Sequence, residues 1–137
     1  NDLQEDKTLL VYKGQELSGN LQHRAPEVIR SLKELRQMKR RDGPPPHKEV
    51  PLEKQPSFAV GVCCYEVLCG RKPLQSYPTE CTSESFKKID DNILLERYGK
   101  IWRDTIMGLL TYDASKRLSL SQVMRKLKLV RYNTSSV

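Results

Sequence analysis

The run from Phe58 to Cys69 constrains this chain more than any other stretch, because wound as a helix it is apolar on nearly every side and is interrupted only by Glu66. No face of such a helix prefers water, so it belongs inside a domain rather than on its surface. It is also far shorter than the ~20 apolar residues that cross a bilayer. The run therefore predicts a buried central rod with other elements packed around it. Ser57 stands at the N-cap position, and Gly70 followed by Pro73 supplies the stop. The 137 residues are enough to furnish the packing partners, since a domain of that size buries about two-thirds of the surface its unfolded form exposes.

Those partners read as helices. After Pro26, the residues Val28, Ile29, Leu32, Leu35 and Met38 recur at helical spacing, with Lys33, Glu34, Arg36 and Gln37 on the other face. A weaker pattern runs through Phe86, Ile89, Ile93 and Leu94, and a clearer one through Ile101, Trp102, Ile106, Leu109 and Leu110. The last helix opens on a capping box, Ser119 answered by Gln122, and buries Leu120, Val123, Met124 and Leu127. No run alternates with period two, so about five helices and few or no strands are expected, and the fold class is mainly α.

Two stretches lack such periodicity. Residues 1–22 are polar around a small apolar knot at Leu9, Leu10 and Val11, and read as an irregular loop. Gly43 and Pro44 to Pro46 stop the first helix, and the charged residues up to Gln55 read as a surface insertion or linker. From Arg30 to Lys54 the chain carries eight Lys/Arg against four Asp/Glu, a docking loop or simply a solvated one.

The net charge of +7 favours acidic partners without naming one. Aromatic residues are absent from the basic stretch, which argues against a base-stacking surface, so nucleic acid is not expected as a partner. The cationic last helix, with Arg125, Lys126, Lys128 and Arg131, is read in the same way. Cys63, Cys64, Cys69 and Cys81 show no Cys-x-x-Cys spacing, and three of them share the apolar run, so they read as reduced core thiols of a cytoplasmic protein. His23 and His47 pair with no cysteine at zinc-ligand spacing, so no metal site is expected.

Taken in order, Gly19-Asn20, Ala25-Pro26-Glu27, Phe58-Ala59-Val60-Gly61, and Leu109-Leu110 with Asp113, Lys116 and Arg117 resemble the C-terminal lobe of eukaryotic-type protein kinases. The stretch from Gly61 to Pro73 matches the family's Gly-Val-x-x-Tyr-Glu-x-Leu-x-Gly-x-x-Pro. The strings Gly-Asn, Ala-Pro-Glu-Val and Ala-Val-Gly also resemble those of the mitochondrial PINK family. The resemblance implies a partial kinase domain. Residues 1–27 would be the activation segment, 28–56 a helix and a basic Pro-containing insertion, 57–131 the helical core and 132–137 a tail. It further implies a buried ion pair between Glu27 and Arg117, and substrate-positioning roles for Asn20, His23 and Arg24, although the last two also read as a solvated basic turn. Thr8, Tyr12 and Ser18 become possible phosphosites.

The family's glycine-rich loop, phosphate-holding lysine, catalytic aspartate and Asp-Phe-Gly have no counterpart in this chain, and neither Asp2 nor Asp6 is followed by Phe-Gly. No catalytic residue is therefore expected here; ATP and magnesium would belong to a complete parent kinase. Pro56 stands where the family has an aspartate that braces its catalytic loop. That departure keeps open a pseudokinase or scaffold that binds protein partners through the helix beginning near Ser83 and the basic insertion. The expected partner is a protein substrate or regulator, with no membrane span.

Overall fold

The structure, a computed structural model, describes residues 7–15, 17 and 19–135, without the side chains from 129 onward. Six α-helices and one two-stranded sheet lie among the described residues. In chain order they are β1 (Thr8–Tyr12), α1 (Pro26–Gln37), β2 (His47–Pro51), α2 (Gln55–Cys69), α3 (Ser83–Phe86), α4 (Asn92–Tyr98), α5 (Lys100–Leu109) and α6 (Leu120–Ser135). The fold is mainly α.

Helix α2 is the apolar rod. Phe58, Val62, Tyr65 and Cys69 are buried along one side of it and share a core with Val28, Leu32 and Leu35 of α1, Leu94 of α4 and Ile106 of α5. The rod begins two residues earlier than Ser57. Lys54 is its N-cap, Pro56 sits in its first turn where no amide donor is required, and Ser57 lies buried inside the helix rather than capping it. Gly70 ends it in the left-handed region at φ 73°, with its N–H donating to the Glu66 carbonyl at 2.9 Å.

Gly61 lets α5 approach. A β-carbon built there would lie 2.8 Å from Leu109 Cβ and 3.1 Å from Leu110 Cδ2, closer than side chains tolerate. The opposite side of α2 is open, with Cys63 exposed and Val67 82% exposed, so the rod is not enclosed all round by the described residues.

Two elements depart from the expected pattern. β1 and β2 pair antiparallel, Thr8 opposite Pro51 and Tyr12 opposite His47, inside segments that read as loop and linker. Leu52 N–H to Lys7 O at 2.7 Å and Lys13 N–H to Pro46 O at 2.8 Å extend the ladder at both ends. Each strand finds its hydrogen-bonding partner about forty residues away and buries one side chain fully, Val11 or Val50, so neither shows an alternation that could be read locally.

The weak helical pattern from Phe86 to Leu94 is two helices. α3 opens on a capping box of Thr82 and Ser85, and a turn follows in which Asp90 Oδ1 accepts from Asn92 N–H at 3.1 Å. The Ser119 and Gln122 box closes reciprocally, at 2.7 and 3.1 Å, where α6 begins. No helix among the described residues is long and apolar enough to cross a membrane.

The contact at Gly61 yields a test. Gly61→Val is expected to lower the unfolding free energy by about 1–3 kcal/mol, the usual effect of overpacking a dense core. Val67→Thr, on the open side, should stay within about 0.5 kcal/mol of the parent. Urea denaturation of both variants checks the pair, and equal stability would contradict the close helix approach.

Candidate functional site

The segment from Gly19 to Glu27 is short of apolar residues, yet its backbone is fixed by side chains from other elements. Gly19 takes φ 114°, a conformation strained for any residue with a β-carbon. Asn20 then caps a single 3₁₀ turn, Leu21–His23, its Oδ1 accepting from Gln22 N–H at 2.9 Å. Beyond the turn the chain runs extended, and such backbone must find partners outside itself. Gln55 supplies two of them: its Nε2 donates to the His23 carbonyl and its Oε1 accepts from Ala25 N–H, each at 2.7 Å. The Tyr77 hydroxyl donates to the Arg24 carbonyl between them. Two side chains thus hold three consecutive residues.

Pro26 starts α1, and Glu27 in its first turn meets Arg117. The Arg117 side chain is fully buried, and Nη1 and Nη2 donate to the two carboxylate oxygens of Glu27 at 2.7 and 2.9 Å. Nε donates to the Thr111 carbonyl at 2.8 Å, Nη1 to the Lys54 carbonyl at 3.2 Å and Nη2 to the Tyr112 carbonyl at 3.1 Å. A guanidinium has five N–H groups, and these five bonds use all of them. Its carbon also lies 5.2 Å from the Phe58 ring centroid. Lys54 returns a bond through Nζ to the Arg117 carbonyl.

The turn that presents Arg117 is tied by Asp113, whose Oδ1 accepts from the Ser115 hydroxyl at 2.7 Å and the Ser115 N–H at 2.9 Å. Those two bonds, the hydroxyl's first, hold the Asp113 carboxyl below its ordinary value of 3.8. Burial raises the Tyr77 phenol and the thiols of Cys64, Cys69 and Cys81, so none of these groups offers an anion at neutral pH. Cys63, by contrast, faces solvent rather than the core.

The three residues read as substrate-positioning do not converge. Asn20 spends its side-chain oxygen on the local cap. His23 turns toward α2, its Nε2 3.9 Å from Glu66 Oε1, and both atoms are enclosed without a hydrogen-bond partner among the described residues. Arg24 turns the other way and donates to the Leu17 carbonyl at 2.7 Å. Thr8 and Tyr12 lie exposed on β1, and the Tyr12 ring sits 5.5 Å from that of His47. Ser18, like Asp2 and Asp6, lies outside the described residues.

Gln55 and Tyr77 escape sequence reasoning, because each acts through its polar end on backbone distant in the chain and belongs to no periodic stripe. No group of three or more His, Cys, Asp or Glu side chains among the described residues could hold a metal ion.

No family model matches the chain, and no solved structure matches it. Among curated proteins it is similar to Aurora kinase C of Mus musculus, 34% identical over 68 residues that make up 50% of this chain and 24% of that protein. It is also similar to an Aurora kinase of Candida albicans, 32% identical over 71 residues, 49% of this chain and 12% of that protein. The matches thus span a quarter or less of those relatives, and they support a protein-kinase relationship for this segment.

Arg117→Ala leaves the Glu27 carboxylate without its partner and is expected to cost about 3–5 kcal/mol. Arg117→Lys should recover little, since an ammonium brings three donors and no planar fork. Thermal melts of both variants test this, and a parent-like Arg117→Ala would dismiss the pair as a structural tie. Asp113 adds a pH dependence. Its folded value is depressed, so its stabilisation is present above about pH 3.8 and is lost as pH falls through the lower folded value. Asp113→Asn should accordingly flatten the acid limb of a plot of stability against pH.

Proposed function

We propose that this chain is the substrate-binding helical lobe of a protein serine/threonine kinase, joined to the end of its activation segment. The observation that carries the reading is the bidentate buried pair between Glu27 and Arg117. In the family the chain resembles, Ala-Pro-Glu closes the activation segment, and here that motif is fastened to the helical base through two donors of one arginine whose other three hold backbone carbonyls. Gln55 and Tyr77 fasten the three residues before it. Such a segment is suited to keeping a peptide-facing loop in one geometry.

Phosphoryl transfer is carried by positioning and charge stabilisation. This chain would contribute the positioning, with Asn20, His23 and Arg24 on the loop that meets a protein substrate. ATP and magnesium supply the transferable phosphoryl group and the counter-charge in a complete kinase, at residues outside this chain. Thr8 and Tyr12 are exposed hydroxyls on the activation segment, open to regulatory phosphorylation. A cytoplasmic location belongs to the same reading.

Pro56 favours a second reading. It lies in the first turn of α2 where the family has its bracing aspartate, and it offers neither a carboxylate nor an amide proton. A catalytically inactive relative that binds protein partners would tolerate that change.

The transcript encoding Asn1 separates the two. A catalytic-loop aspartate and an Asp-Phe-Gly upstream of Asn1, together with transfer of labelled phosphate from ATP to serine or threonine by the encoded protein, is the expected result. A transcript without those motifs, or an encoded protein that transfers no phosphate, refutes the kinase reading and leaves the partner-binding one.

A further inference from the structure

The exposed side of α1 presents three cations in a row. Arg30, Lys33 and Arg36 follow one another at spacings of three, so they share a helix face and span about 9 Å along its axis. All three are solvent-exposed, and among the described residues none shares an ion pair with a carboxylate. Glu34, the acid nearest to them on the helix, is engaged by Lys48 of β2. Like charges three residues apart weaken a helix, so the row is a standing cost that an anionic ligand would relieve.

The row borders a groove of about 680 Å³ between α1 and the segment 78–82. Leu21, Pro26, Ile29, Leu32 and Pro78 give it an apolar lining, and among the described residues Glu80 is the one carboxylate that lines it. A second groove of about 550 Å³ continues from it toward Gly14 and shares Leu21, Arg24, Leu32 and Arg36 with the first, which makes one furrow along the helix. Arg24 adds a fourth cation at the junction. Arg30 is held in place, with Nη2 donating to the Tyr112 hydroxyl at 3.2 Å and its carbon 5.8 Å from that ring's centroid.

We propose that this furrow binds an acidic peptide in extended conformation, an apolar side chain seated on Leu21 and Ile29 and flanking carboxylates or phosphates facing Arg30, Lys33 and Arg36. An extended chain rises about 3.3 Å per residue, so the 9 Å row spans about three residues of such a peptide. The charge and the apolar lining select this occupant together, since a peptide alone brings anions and an oily anchor at that spacing. A single-stranded nucleic acid would need open rings to stack on. The one ring that lines the furrow among the described residues, Tyr112, is taken by Arg30 on its face and by Phe86, whose ring centroid is 5.3 Å away in an edge-on geometry. A lipid surface is flat and matches a concave furrow poorly. Peptide capture here involves no phosphoryl transfer, so it does not depend on the kinase reading.

The test uses the full 137-residue chain and a fluorescein-labelled decapeptide with one central leucine flanked by glutamates, followed by anisotropy. Binding is expected at low salt and should weaken steadily as salt rises. The Lys33→Glu, Arg36→Glu double variant, altered at two exposed positions, should lose at least tenfold in affinity while keeping the parent circular dichroism spectrum. A phosphoserine version of the peptide identifies the preferred anion: tighter binding points to phosphate and equal binding to carboxylate, and both support the site. Ile29→Asp should weaken binding of the leucine peptide more than that of its glycine counterpart. No binding at low salt, equal binding by the charge-reversed variant, or stronger retention by oligouridylate or anionic vesicles than by the peptide would each overturn the proposal.

Discussion

Everything else in this fold is arranged around one buried guanidinium. Arg117 has no exposed side-chain surface, and removing an arginine from water is costly unless all its donors are met. Here they are met by four residues from separate parts of the chain: Glu27 at the start of α1, Lys54 at the cap of α2, and Thr111 and Tyr112 beyond α5. The requirement fixes the relative positions of those parts more tightly than oily packing alone, because hydrogen bonds tolerate only a few tenths of an ångström and a narrow range of angles. Phe58 closes the arrangement from the apolar side, so the charged centre and the hydrophobic core meet at one ring.

That centre accounts for how the 19–27 segment is held. Glu27 is fixed from below by Arg117, and the residues just before it are fixed from the side by Gln55 and Tyr77. Gln55 belongs to the first turn of α2, one residue from the cap whose carbonyl Arg117 grips. The loop and the buried pair therefore share a foundation, and a displacement of the first turn of α2 would be felt by both.

The parts of this architecture that were legible in the sequence were those whose signal is local. The oily rod, the stop at Gly70, the capping box at Ser119 and the helical stripes of α1 and α5 each follow from residues within a few turns of one another. Glu27 and Arg117 entered through a family resemblance, since ninety residues separate them and nothing in either neighbourhood demands the other. The β1–β2 ribbon stayed hidden because its strands expose most of their side chains, and its order comes from backbone bonds between distant segments. Gln55 was invisible for a related reason: it is a polar residue on an apolar helix, and its partners are main-chain atoms that sequence does not display. The start of α2 differs from the expected cap because Ser57 has a cap's composition, whereas Pro56 already fits the first turn.

The ribbon carries a consequence for the way the molecule breathes. A two-stranded sheet has no third strand to fall back on, so when β1 peels away, β2 loses its ladder in the same event. Residues 13–46 form a lasso closed by that ladder, and α1 with its cationic row is carried inside it. Opening at that knot would free the ribbon alone, because α1 inside the lasso stays fastened by Glu27 and by Val28, Leu32 and Leu35 of the core. The ribbon's amides would then exchange with solvent as a group, at an energy set by a handful of main-chain bonds, below that of the guanidinium-centred core.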